Sequence, residues 1–276
     1  MRLPIGYIDD KIKETQVSKK YEELDFTDDF FFCKILIKNE KLCKELLELI
    51  LQIKIARIVF AAKQKPIELT ADGRGIRLDV YVEDDVHTVY DIEMQPTMKS
   101  NLPKRSRYYQ GMIDLNLIER GADYKELKKS FVIFICMSDP FGKGLHIYTF
   151  ENQCRECPTI FLGDETTKVF INAAGTADDV SQEMKAFLDY LQGKGTKSDF
   201  TRRIEEEVTK ARTHEEWKVE YMSLFLRDQE MREEGRTETR YTVVMNMLKE
   251  NEPIEKICRY AGCDEAFVKK VQEEKE

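Results

Sequence analysis

Arg77-Leu78-Asp79-Val80-Tyr81-Val82-Glu83, a turn at Asp84-Asp85, then Val89-Tyr90-Asp91-Ile92-Glu93-Met94-Gln95: how this stretch pairs with itself decides the fold. In both runs the even positions are largely apolar, while the odd positions hold Asp79, Asp91, Glu93 and Gln95, the alternation of two half-buried strands. A turn centred on Asp85 puts Asp79 opposite Asp91 and leaves Glu93 one diagonal step away, at about 7 Å. A hard divalent cation spans such a gap through carboxylate oxygens and water. Alternating acids also suit a sheet face turned to solvent, and the spacing alone leaves both readings open.

Working outward, Arg57–Pro66 reads as a strand closed by proline, so the acidic hairpin continues a meander. Ahead of it, Asp25-Phe26-Thr27-Asp28-Asp29 opens a helix, and Leu42, Leu46, Leu47, Ile50 and Leu51 mark a second, amphipathic one. After the hairpin, Lys104 to Arg120 reads as a helix with Tyr108, Met112, Leu115 and Ile118 on one side, ended by Gly121. Phe131–Met137 is a continuous apolar run, as in a strand covered on both faces. Residues 144–150 and 167–172 predict further strands and 178–192 a packing helix. The order predicts an α/β fold with a mixed sheet, the helix crossing between its strands.

From 199 to 236 the sequence turns to dense alternating charge with Trp217, Tyr221, Leu224 and Phe225 as an apolar stripe, punctuated at Gly235. Helices are expected at 239–249, 253–261 and 264–273. The last two have the spacing of a helix-turn-helix or of a plain packing hairpin. The expected division is therefore a globular domain over 1–198, a charged helical linker over 199–236 and a small helical tail over 237–276. Self-association through the C-terminal helices is a further expectation.

The chain of 276 residues is 42% hydrophobic and 35% charged, enough to bury a core, and has no apolar run long enough for a bilayer span. Its start lacks the apolar core of a signal peptide, so a cytoplasmic protein is expected, with its seven cysteines reduced. Cys154-Arg-Glu-Cys157 is the one CxxC pair, short of the ligands a structural zinc needs. A net charge of −8 does not announce a polyanion binder, yet Lys99, Lys104, Arg105 and Arg107 form an acid-free run directly after the acidic strand.

Asp79 in one strand, Glu93-x-Gln95 in the next, and Arg105-Ser-Arg107-Tyr108-Tyr109 opening a helix resemble the PD-(D/E)XK nuclease superfamily. Within it they resemble the recombination-promoting nuclease and transposase family. The likeness runs from about Phe26 to Asn172, and Arg77-x-Asp79, Ile92-Glu93-Met94-Gln95 and Ile147-Tyr148-Thr149-Phe150-Glu151-Asn152 are its most specific pieces. It implies a restriction-endonuclease-like mixed sheet flanked by helices, with an all-helical C-terminal extension. It also implies a Mg²⁺-dependent DNA endonuclease of low sequence specificity, in which Mn²⁺ substitutes, acting in recombination, mobile-element or defence functions.

On that resemblance Asp79 and Glu93 are metal ligands, the Met94 carbonyl is a third protein oxygen, and Gln95 positions the attacking water. Asp29 supports the metal through water or caps its helix. Lys104, Arg105, Arg107 and Tyr108 meet DNA, and Asp91 is a bystander. Glutamine stands where the superfamily's name has lysine, and it neither carries charge nor acts as a base. A catalytically silent DNA-binding or protein-interaction protein of the same fold is the alternative. A transposase of the three-acid type would need a further essential acid on a late helix, around which the sequence has no motif.

Overall fold

The computed structural model describes residues 19–60, 66–67, 76–119 and 121–274. These fall into two compact units divided after His214.

In the first unit, after a short turn of 3-10 helix at Tyr21–Glu23, helices α1 (Asp29–Lys38) and α2 (Glu40–Leu51) precede the strands. The strands are β1 (Ile58–Phe60), β2 (Pro66–Ile67), β3 (Ile76–Arg77), β4 (Val80–Asp84) and β5 (Val89–Gln95). Helix α3 (Leu102–Leu117) leads to β6 (Ser130–Cys136), β7 (Ile147–Phe150) and β8 (Thr166–Asn172), and α4 (Gln182–Leu191) and α5 (Asp199–Arg212) close the unit. Six strands form one mixed sheet in the order β1-β4-β5-β6-β8-β7, while β2 and β3 pair separately. The neighbours β5, β6 and β8 run parallel, and β1, β4 and β7 are antiparallel to their neighbours. This is the mixed α/β sheet that the order of elements predicts, and it agrees with the restriction-endonuclease-like arrangement that the resemblance implies.

The expected strand over 57–66 resolves into β1 and the first residue of β2, with 61–65 outside the described residues. The first acidic run is also interrupted: Arg77 pairs within β3, and Asp79 stands at a bend just before β4.

Every residue of β5 and β6 is buried, because helices cover both faces of the sheet. Helix α3 packs through Leu102, Tyr109, Met112 and Ile113 on the face that carries Tyr81, Val89, Val132, Phe134 and Phe170. On the other side α1, nearly all of whose apolar residues are buried, lies against β4, and α1, α2, α4 and α5 pack on one another. The α3 stripe differs from the sequence reading. Tyr109 and Ile113 face the core while Tyr108 and Leu115 are exposed, since the helix starts at Leu102 and its buried side follows Leu102, Ser106, Tyr109 and Ile113.

Helix α5, read from sequence as the opening of a linker, buries Phe200, Ile204, Val208 and Ala211 and contacts α1 and α4, so it sits with the first unit. Its start is fixed by a reciprocal cap between Ser198 and Thr201.

The second unit is α6 (Glu215–Lys249), α7 (Ile254–Ala261) and α8 (Glu265–Glu273). Val244, Ile257, Val268 and Val271 form its core. Gly262 takes a left-handed conformation (φ 61°) to end α7, and Asp264 caps α8 by accepting from the Phe267 amide. Gly235 does not end a helix as expected; α6 passes through it unbroken for 35 residues.

Candidate active site

The hairpin register places the acids differently from the sequence reading. Tyr81 faces Asp91, Val82 faces Tyr90 and Glu83 faces Val89, which brings Asp79 level with Glu93 instead of Asp91. The cause is the turn. Asp84 accepts from the amides of Val86 (3.0 Å) and Thr88 (2.8 Å) and from the Tyr90 hydroxyl (2.8 Å), and His87 adopts a left-handed φ of 67°. That loop is longer than a turn centred on Asp85, so the pairing shifts while each residue keeps its face.

The acidic face is not solvated. Asp91, Glu93 and Gln95 are 0%, 3% and 5% exposed, because α3 covers this side of the sheet. Asp79 and Glu93 are bound reciprocally. The Asp79 amide donates to Glu93 Oε1 and the Met94 amide donates to Asp79 Oδ2, each at 3.0 Å. These bonds across the bend orient the two carboxylates with respect to one another.

Burial, and then the Asp79 charge, push the Glu93 carboxyl up to about 8, against the Asp79 amide and Arg105, which favour its ionised form. Asp91 is raised well above the ordinary carboxylate range, by burial first and by the charges of Glu93 and Asp79 next. Neither of its oxygens has a donor among the described residues. The bond open to it is the one a protonated Asp91 gives to Glu93. The buried hydroxyl of Tyr81, across the strands from Asp91, is likewise without a partner.

The basic run splits by helical phase. Lys104, Arg107 and Tyr108 point outward from the first turns of α3 and are exposed. Arg105 turns inward instead. Its Nη1 donates to Gln95 Oε1 at 2.7 Å, and its Nη2 donates to the Tyr109 hydroxyl at 2.8 Å and lies 3.4 Å from Glu93 Oε2. Its guanidinium carbon is 5.2 Å from the ring centre of Tyr109 and 5.3 Å from that of Phe134. Gln95 in turn donates from Nε2 to the Thr97 carbonyl at 2.7 Å. Arg105, expected from sequence to meet DNA, instead reaches the acids, and Tyr109, four residues on along the same helix face, is the site element sequence reasoning missed; that spacing was the signal available for it.

Asp29 lies in the first turn of α1, exposed, its Oδ1 accepting from the Phe30 amide at 2.8 Å, while Asp28 occupies the cap position. Among the described residues no three His, Cys, Asp or Glu side chains are disposed to surround a metal. The donor set nevertheless suits a hard cation that keeps its waters, since Mg²⁺ is commonly held by one or two carboxylates with the remaining oxygens from solvent and phosphate. Cys154 and Cys157, both partly exposed, lie away from these acids, in the segment between β7 and β8.

A strand pair carrying two acids in register, set in a mixed sheet under a helix that presents basic residues, defines a nuclease-like protein. The family model described as PD-(D/E)XK nuclease family transposase matches residues 26–158, and over that segment the chain is similar to this family. Its members generally use divalent metals, and a nuclease family implies DNA as substrate. Searches of curated proteins and of solved structures find no match.

Proposed function

We propose that this protein is a metal-dependent endodeoxyribonuclease that hydrolyses phosphodiester bonds of duplex DNA with low sequence specificity, in recombination or in mobile-element or defence functions. The observation that carries the reading is the reciprocal bonding of Asp79 and Glu93, which sets two carboxylates side by side on buried backbone. Asp79, Glu93 and the Met94 carbonyl would hold Mg²⁺, with Mn²⁺ as a substitute and Asp29 as an outer support through water. When bound, such an ion lowers the pKa of water and neutralises phosphate charge.

The chain's own residues supply binding and orientation. Lys104 and Arg107, on the exposed side of α3, would meet backbone phosphates, with Tyr108 one turn after Lys104 on the same side. Such contacts position a duplex without reading its bases, which fits low specificity. Among the described residues no helix is long and apolar enough to cross a membrane.

The test is nicking of supercoiled plasmid in Mg²⁺, with EDTA and Asp79→Ala and Glu93→Ala as controls. Both variants are expected to fold and to fall to background. Cutting by both at the wild-type rate would sink the assignment. A second reading, a catalytically silent DNA-binding protein, draws on Glu93 being buried beside Arg105 and raised in pKa. It predicts DNA binding indifferent to chelator and no product with either Mg²⁺ or Mn²⁺.

A further inference from the structure

The letter K in the family's name stands where this chain has Gln95, two residues after Glu93. A neutral amide provides no positive charge there. Nor is this amide disposed to work alone, because both of its ends are engaged: Oε1 takes a hydrogen bond from Arg105 Nη1 and Nε2 gives one to the Thr97 carbonyl, each at 2.7 Å. What these bonds achieve is to hold a guanidinium beside Glu93.

We infer that Arg105, reaching in from α3, carries the positive charge for phosphodiester hydrolysis that a strand lysine would supply, and that Gln95 is the residue that positions it. This rests on the nuclease reading above.

The guanidinium has the geometry for the task. Gln95, Tyr109 and Glu93 take three of its N–H groups. A guanidinium has five, in a rigid fork that matches phosphate oxygens. Among the described residues Nε and the second Nη1 hydrogen have no acceptor and remain for a substrate oxygen, and the side chain is 26% exposed. Tyr109 and Phe134 stack against it and limit its movement.

In the reaction, a water oxygen bonds to phosphorus and gives up a proton. One P–O ester bond breaks, its electron pair stays on the leaving sugar oxygen, and that oxygen takes up a proton. Arg105 exchanges neither proton nor electrons. It donates to a non-bridging oxygen, whose charge grows as the new bond forms, so its contribution is larger in the transition state than in the bound ground state.

A lysine at position 95 and an arginine at position 105 would crowd two cations together, which makes the two placements alternatives and gives a swap test. Single-turnover nicking in Mg²⁺ is compared for wild type, Arg105→Met, Arg105→Lys, Gln95→Lys, the double variant Gln95→Lys/Arg105→Met, and Asp79→Ala. Binding of a short duplex in Ca²⁺ is followed in parallel by fluorescence anisotropy, and folding by thermal melting.

Arg105→Met is expected to cut about 100-fold more slowly or worse, with duplex affinity within about threefold of wild type. Arg105→Lys should retain part of the rate. The double variant should regain at least about tenfold over Arg105→Met, a rescue that a merely structural arginine would not allow.

Cutting by Arg105→Met within about threefold of wild type overturns the inference and leaves the nuclease reading standing. So does a loss of duplex affinity that matches the loss of rate, which would make Arg105 an ordinary phosphate contact. A folded double variant no faster than Arg105→Met has the same force; if the double variant does not fold, a rate for folded Arg105→Lys no better than that of Arg105→Met decides in its place. Equal background from wild type and Asp79→Ala overturns the nuclease reading, and the inference with it.

Discussion

Asp84 is the residue on which the hairpin's alignment depends. Its carboxylate meets two amides and the Tyr90 hydroxyl while only 7% of the residue is exposed, so removing it strands three donors, of which the Thr88 amide and the Tyr90 hydroxyl are buried. Asp84→Ala is expected to cost about 2–4 kcal/mol, read as a lowered urea midpoint with an unchanged slope. Asp84→Asn, which keeps an acceptor oxygen, should lose less. The same residue shows why the register was not legible. The sequence placed a turn at Asp84-Asp85, but Asp84 ends β4 and the turn falls at residues 85–86; nothing in the sequence announced that His87 would take a left-handed conformation and lengthen the loop. Parity survived because the alternation of apolar and acidic residues fixes faces, not partners. Arg105 was hidden for a different reason. Read as one basic run, Lys99 to Arg107 has a single character, and only helical phase separates the inward Arg105 from its outward neighbours Lys104 and Arg107.

Among the elements, β6 was legible as a buried strand because a parallel strand covered on both faces needs an unbroken apolar run, which residues 131–136 supply. Helix α6 was not legible as one helix. A glycine in an exposed helix interior costs about 1 kcal/mol relative to alanine, too little to break a helix whose flanking residues favour it. Around Gly235 the helix carries the Arg236–Glu233 ion pair, and the hydroxyls of Thr237 and Thr239 donate one turn back to the carbonyls of Glu233 and Gly235. A Cβ at Gly235 would meet nothing within 4 Å. Gly235→Ala should therefore stabilise α6 by about 0.5–1 kcal/mol, seen as later loss of helical circular dichroism on heating. An earlier loss would mean that the glycine relieves a strain its surroundings do not reveal.

Over the whole molecule, the acids under α3 tie stability to pH. Glu93 is raised from an ordinary value of 4.5 to about 8, and Asp91 is raised as well, so the folded chain holds protons that the unfolded chain releases. Stability is then greatest below the ordinary carboxylate range and is lost as pH rises through it toward 8, where the folded state must bury charge. Thermal melts from pH 5 to pH 9 are expected to fall by several degrees over about pH 5–8, and Glu93→Gln should flatten the trend. A midpoint that instead rises across that window would contradict the buried, protonated acids. Divalent cations should restore the midpoint at the alkaline end, because ligation requires ionised carboxylates and so displaces the protons. The two-unit division stands beside this. The acids and α3 all lie within the first unit, and α7 and α8 have a core of their own in the second.

The crossed bonds between Asp79 and Glu93 have one more consequence. Each acid is held by an amide of the other's side of the hairpin, so a slip of β4 along β5 by two residues would keep every side chain on its proper face and still dismantle the pair. Most of the sheet would tolerate such an error, since apolar residues would continue to face inward. The two carboxylates would not. Whatever this site binds therefore registers the alignment of the strands as well as the chemistry of the acids, and titrating it counts the molecules whose hairpin has closed in the right frame.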